Sequence, residues 1–230
     1  MRPMTLGAVI FDFDGVITDS EILHFRAFNA VLTKHGFELT KQEYYKDYLG
    51  LSDVDCFKAL IAEGRLHFEE SQVQSLVQQK TKVFEQLART EGRIIEGVRE
   101  FLQMLSKNRV PTAICSGALR AEIELILEGA KLRSYFDEIV SSEEVKRGKP
   151  DPQGFLLAVK KLNKRRVQPI APKHCVVIED SRWGLQAARA AKMRTVAVTN
   201  TYDADQLKEA DKIVDRLSDL TLQDLAQLCS

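Results

Sequence analysis

The stretch Gly7-Ala8-Val9-Ile10-Phe11-Asp12-Phe13-Asp14-Gly15-Val16-Ile17-Thr18-Asp19 decides the fold. Residues 7–13 are a short run rich in β-formers, the pattern of a strand buried on both faces. The run ends in two acids, and Gly15 frees the chain to turn there. Two later runs end the same way: Val110 to Cys115 leads into Ser116-Gly117, and His174 to Ile178 into Glu179-Asp180-Ser181. Ligands of open α/β sheets bind beyond the carboxyl ends of the strands. Acids and small polar residues finish three buried strands only where something polar sits.

Outward from these runs the chain alternates. Further strands are predicted at 138–140, 195–198 and 212–214, with helices at 97–108, 119–127, 155–162 and 184–192. Alternating strands and helices imply an α/β fold, a Rossmann-like parallel sheet with helices on both faces. Residues 19–92 break the pattern. Ser20 is a candidate N-cap for a helix whose apolar face is Ile22, Leu23, Phe25, Phe28, Val31 and Leu32, with Gly36 as its stop. Thr40 and Glu43 form a capping box, Ser52 opens a helix to about Gly64, and Glu69 to Arg89 reads as a long polar helix. The expected organisation is a core of residues 1–18 and 93–230 with an inserted α-helical domain over 19–92.

Composition limits the function classes. Of 230 residues, 44% are hydrophobic and 29% charged, as in ordinary globular proteins. Lys plus Arg number 33 and Asp plus Glu 33, so the basic excess of a generic nucleic-acid or anionic-membrane binder is missing. No apolar run approaches the ~18 residues of a membrane span. The amino-terminal stretch does not read as a signal peptide. Cys56, Cys115, Cys175 and Cys229 lack CxxC spacing, which suits reduced thiols and a cytoplasmic chain. A monomer is expected.

Ionised acids crowded at strand ends raise one another's pKa, and a hard divalent cation with oxygen ligands resolves this. An isolated DxD, or Glu179-Asp180 alone, reads best as solvated acids; the two at ends of one sheet read as a metal site. Lys149, in Arg147-Gly148-Lys149-Pro150-Asp151-Pro152, is a cation in a turn before a helix, placed to neutralise a carboxylate and hold a phosphate oxygen. Lys160, Lys161, Lys164, Arg165 and Arg166 read as a solvated basic run.

Together these residues resemble the haloacid dehalogenase superfamily of phosphohydrolases. Phe11-Asp12-Phe13-Asp14-Gly15-Val16-Ile17-Thr18-Asp19 looks like its first motif, Ile114-Cys115-Ser116-Gly117 the second, Lys149-Pro150 the third and Val177-Ile178-Glu179-Asp180-Ser181 the fourth. The helical insertion resembles the cap of the phosphoglycolate phosphatase and β-phosphoglucomutase branch. The resemblance implies a nucleophile at Asp12, a general acid and base at Asp14, a phosphoryl hold at Ser116 and Gly117, and a steadying cation at Lys149. It implies Mg²⁺ held by Asp12, the Asp14 carbonyl and Asp180, with Glu179 helping directly or through water. An acid at Asp14 favours phosphate esters over dehalogenation.

The insertion carries expectations about substrate. His24 matches a histidine that the mutase branch uses to couple substrate binding to the acid; otherwise it is a packed histidine. Tyr48-Leu49-Gly50-Leu51-Ser52-Asp53 resembles the specificity loop, giving Gly50 and Asp53 as substrate contacts, and Lys80 looks like a cap lysine or else a solvated one. Where the mutase carries an Arg for a distal phosphate, this chain has Asp53, whose charge would repel a second phosphate. The expected activity is hydrolysis of a small phosphorylated metabolite, such as a sugar phosphate. A hexose-phosphate mutase is the alternative, and a non-catalytic regulatory or binding protein on the same fold is the alternative from another class.

Overall fold

The computed structural model describes residues 6–49, 51–164 and 166–230. It divides into two compact units, residues 1–19 with 93–230 and residues 20–92. The first holds a six-stranded sheet of β1 (Ala8–Phe11), β2 (Thr112–Cys115), β3 (Glu138–Val140), β4 (Cys175–Glu179), β5 (Arg194–Val198) and β6 (Lys212–Val214). The order is β3-β2-β1-β4-β5-β6 and every pair is parallel. The expected α/β architecture is therefore present, with the helical segment between β1 and β2. The order reverses between β1 and β4, so the crevice beyond their carboxyl ends is the topological switch point.

Alternation along β1 sorts the core. Ala8 and Ile10 face a cluster with Phe155, Ala158, Val159, Ala187 and Ala188. Phe11, of the other parity, packs edge-on against Phe101 and Phe136, with ring centroids 6.0 and 5.7 Å away. Asp12 continues the Ala8–Ile10 parity.

The second unit contains α1 (Glu21–Leu32), the single turn α2 (Lys41–Glu43), α3 (Asp53–Ala62) and α4 (Val73–Glu91). Its apolar centre joins Phe28, Val31, Leu39, Phe57, Leu60 and Leu76. The Thr40–Glu43 capping box forms, and the Ser52 hydroxyl accepts from the Asp55 N–H at 3.2 Å. Ser20 departs from its expected role: it sits in helical conformation and its hydroxyl does not cap α1. The turn opened by Thr40 passes straight into a wider π-type turn over Tyr44–Tyr48, so no regular helix develops there. The helix expected from Glu69 begins with a 3-10 turn, Glu70–Gln72, before α4. Gly36, at φ +76°, ends the 3-10 extension of α1 as predicted.

Back in the first unit, α5 (Val98–Lys107) precedes β2, α6 (Arg120–Gly129) follows it, α7 (Gln153–Asn163) precedes β4, α8 (Arg182–Ala190) joins β4 to β5, and α9 (Leu222–Leu228) comes last. Thr18 pairs with Ile94 in an antiparallel bridge, the Ile95 N–H donates to the Ile17 carbonyl at 3.0 Å, and the Thr18 hydroxyl donates to the Arg93 carbonyl at 2.8 Å. The chain thus leaves the sheet unit and returns to it through adjacent, bonded segments. Lys161 corrects the reading of a solvated basic run. Its ammonium donates to the Ile139 carbonyl at 2.9 Å and pairs with Glu144, tying α7 to the β3 segment. All four cysteines are buried and free. Among the described residues no helix is long and apolar enough to cross a membrane.

Candidate active site

β1 delivers Asp12 to the crevice immediately after its last residue, and the Asp12 N–H still donates to the Ile178 carbonyl of β4 at 2.9 Å. β4 delivers Glu179 as its final residue and Asp180 just beyond it. Carboxylate oxygens of Asp12, Glu179 and Asp180 lie within 4.8 Å of one another, and all three residues are buried. The turn before α7 supplies Lys149, whose ammonium bridges Asp12 Oδ1 and Glu179 Oε1 at 2.6 Å each. Four of the residues singled out from the sequence are therefore brought together.

The electrostatics follow from burial. Desolvation raises the Asp12 pKa to about 7, with Lys149 opposing the shift and the Glu179 charge adding to it. Desolvation also raises Asp180, to about 8, helped by the charges of Asp12 and Glu179. Burial alone would lower Lys149, but the charges of Asp12 and Glu179 outweigh it and hold the ammonium well above the ordinary lysine value. One ammonium among three buried carboxylates leaves an excess of negative charge. Hard oxygen donors with unmet charge suit a divalent cation. Asp12 and Asp180 are the acids positioned to hold it. Glu179 is already engaged: Oε1 takes Lys149, while Oε2 accepts from the N–H groups of Asp180 and Ser181, at 3.1 and 3.0 Å, and from the Ser181 hydroxyl at 2.9 Å. Its carboxylate occupies the space where a side chain on Gly184 would sit, so only glycine fits in the first turn of α8.

Asp14 lies half-buried in the turn after β1, where it pairs with Thr18 in a backbone bridge. Ser116 follows β2, the strand beside β1; it is buried, and its hydroxyl accepts from the Ala118 N–H at 2.9 Å. Gly117 is exposed with open space beside it. Gly50 lies outside the described residues.

His24, Asp53 and Lys80 form a separate cluster inside the helical unit. The Lys80 ammonium, fully buried, donates to Asp53 Oδ1 and Oδ2 at 2.8 and 2.9 Å and meets His24 Nδ1 at 2.6 Å. All three of its N–H donors are thereby satisfied. The rings of Phe28 and Phe84 flank it, their centroids 5.1 and 5.0 Å away. Burial, then the neighbouring Lys80 charge, lowers the His24 pKa well below the usual histidine value. His24 is therefore neutral, accepts at Nδ1 and carries its proton on Nε2. The reading of Lys80 as a solvated lysine is overturned: Asp53, one helix away, gives it a partner inside the core.

Sequence reasoning missed Asn200 and Thr201. The Asn200 amide donates to the Gly15 carbonyl at 2.7 Å, and the Thr201 hydroxyl donates to the Asp180 carboxylate. Both residues follow β5, so the strand-end rule, applied to every strand, finds them.

The chain belongs to the haloacid dehalogenase-like hydrolases: that family's profile matches residues 9–198. It is 30% identical over 209 residues to a phosphorylated carbohydrates phosphatase of Thermotoga maritima, covering 90% of this chain and 92% of that one. It is also 30% identical over 230 residues to the chloroplastic 5-amino-6-(5-phospho-D-ribitylamino)uracil phosphatase of Arabidopsis thaliana; the match covers 97% of this chain and spans 57% of the plant protein's length. The structure of β-phosphoglucomutase from Clostridium difficile superposes with a TM-score of 0.79, covering 97% of each chain at 24% identity, and so shares the fold.

Two outcomes follow from this geometry. The raised pKa values of Asp12 and Asp180 mean that the stability contribution of their neutral forms is complete below about pH 4, the unfolded value, and is lost as pH rises through about 7 and 8. A divalent cation competes with those protons. The rise in melting temperature on adding it is therefore larger at pH 8 than at pH 6, as differential scanning fluorimetry of metal-stripped protein will read; an equal rise at both values contradicts the assignment. In the helical unit, Asp53→Ala leaves the Lys80 ammonium buried with no counter-charge and lowers stability by about 3 kcal/mol. Asp53→Ala with Lys80→Met recovers at least half of that loss in urea unfolding.

Proposed function

We propose that this chain is a Mg²⁺-dependent phosphatase of a small phosphorylated carbohydrate or related monoester, with residues 1–18 and 93–230 as its catalytic core, residues 19–92 as its cap, and Asp12 as its nucleophile. The observation that carries the reading is Lys149 bridging Asp12 and Glu179 beside Asp180. A carboxylate gripped on one oxygen by a fixed ammonium is oriented before substrate arrives. The same ammonium offsets charge on an incoming phosphate, and phosphoryl transfer needs such positioning and neutralisation most.

The chemistry then divides among the chain's own side chains. An Asp12 carboxylate oxygen forms a bond to phosphorus as the bond from phosphorus to the ester oxygen breaks, and Asp14 gives its proton to the departing oxygen. Water next attacks the phosphorus of the aspartyl-phosphate and surrenders a proton to Asp14. Inorganic phosphate leaves, with Asp12 restored as a carboxylate. Ser116 and the Gly117 N–H hold the phosphoryl oxygens, and Lys149 keeps its grip throughout. Asp12, the Asp14 carbonyl and Asp180, supported by Glu179, would hold Mg²⁺, which would supply a further positive charge against the phosphoryl oxygens.

The helical unit supports a monophosphate over a bisphosphate. The Asp53 carboxylate and Lys80 ammonium cancel, and His24 is neutral. Their cluster has no surplus positive charge for a distal phosphate, where a mutase of the branch carries an Arg. The relatives that act on phosphorylated sugars favour the same substrate class.

The test is a panel of sugar phosphates and phosphoglycolate, assayed for phosphate release with Mg²⁺ and with EDTA, beside a mutase assay primed with a sugar bisphosphate. Release that needs Mg²⁺ is expected. Asp12→Asn should reduce it by at least ~10²-fold with the fold retained. Robust isomerisation of hexose 1- and 6-phosphates with little phosphate release would establish the mutase instead. Binding without turnover across the panel would establish a binding protein.

A further inference from the structure

The turn that presents Asp14 is closed almost wholly on itself. The Phe13 carbonyl accepts from the N–H groups of Val16, Ile17 and Thr18, at 3.4, 2.8 and 3.1 Å, and the Gly15 N–H donates to the Thr18 carbonyl at 2.8 Å. The Gly15 carbonyl points out of this arrangement and accepts instead from Asn200, across the chain at the end of β5. Gly15 itself has φ +74° and no room for a side chain: a Cβ would strike the Asp180 carboxylate and lie 2.7 Å from the Thr201 hydroxyl oxygen. Gly15 is therefore wedged against Asp180, just beyond β4, on one side and held at its carbonyl by the Asn200 amide on the other.

The donor sits on a braced base. Thr199, one residue before it, donates its N–H to the Val214 carbonyl at 3.2 Å and its hydroxyl to Asp215 Oδ1 at 2.9 Å. Asn200 is exposed, so its side chain fills no core space whose loss would explain its place. Only the amide nitrogen can donate to a carbonyl, which fixes the orientation of the group.

We propose that Asn200 is a positioning residue for Asp14: by holding the Gly15 carbonyl it fixes the turn that aims the Asp14 carboxyl at the leaving oxygen. The inference rests on the assignment of Asp14 as general acid in the proposed function. A displacement of about 1 Å is enough to spoil proton transfer while leaving the nucleophile and its ammonium in place. The loss should therefore depend on the leaving group. An alkoxide needs the proton, whereas p-nitrophenolate departs without it.

The experiment compares kcat/KM for the fastest sugar phosphate of the panel with kcat/KM for p-nitrophenyl phosphate, in wild type, Asn200→Ala, Asn200→Ser and Asp14→Asn. Asn200→Ala should lose about tenfold more on the sugar phosphate than on p-nitrophenyl phosphate. Asn200→Ser, which keeps a hydroxyl donor, should recover part of that ratio. The ratio is internal to each variant, so a reduced folded fraction does not affect it. Equal losses on both esters, or no loss, would overturn the proposal. Asp14→Asn showing no leaving-group dependence would overturn the acid assignment, and the role of Asn200 with it; selectivity in Asp14→Asn but not in Asn200→Ala sinks the positioning role alone.

Discussion

The two-way grip of Lys149 on Asp12 and Glu179 is the contact on which the rest of the site depends. Three carboxylates gathered in a buried crevice at the end of an aliphatic sheet repel one another. The ammonium relieves part of that repulsion and fixes one oxygen of Asp12 and one of Glu179 at equal distance. Glu179 can then use its second oxygen to organise the start of α8, which sets the backbone of Asp180 and Ser181. The missing side chain at Gly184 serves this arrangement, because the Glu179 carboxylate needs that volume. A metal-ready pair, a poised carboxylate and a helix start thus share one electrostatic solution.

That solution was legible in the sequence because strands and motifs obey short rules. Alternation along Ala8 to Phe11 places Asp12 at the crevice, and the runs ending in Ser116-Gly117 and Glu179-Asp180 place their polar residues on neighbouring strands. The helical insertion announced itself by the switch from strand signals to capping residues and amphipathic stretches. Contacts that join distant segments through single side chains were not legible. The spacing of Val73, Leu76, Lys80, Phe84 and Ala88 sets Lys80 on the buried face of α4, but its partner was not legible: only the packing of α3 against α4 brings Asp53 to it. Lys161 hid in a basic run for the same reason, with its acceptors in the β3 segment. Asn200 lies 185 residues from the carbonyl it holds, and its own strand end was marked by no acid.

The two units make different uses of charge. At the strand ends the acids outnumber the cation, and the surplus prepares an affinity for further positive charge. Inside the helical unit Lys80 is saturated by Asp53, His24 and two aromatic faces, so that its charge is spent on holding α1, α3 and α4 together. A buried ion fully matched by its neighbours works as structure, whereas an under-matched set of ions works as a receptor. The contrast follows from counting donors and acceptors, and it needs no reference to sequence pattern.

The bonded pairing of Ile17 and Thr18 with Arg93, Ile94 and Ile95 has an evolutionary consequence. A segment spliced between two strands that are already clasped adds little strain to the host sheet, because loop-closure entropy grows only slowly with inserted length. The clasp is a docking port in the genealogical sense. Whatever lies between its two sides can be lengthened, trimmed or exchanged without shifting the register of the six strands or the acids at their tips.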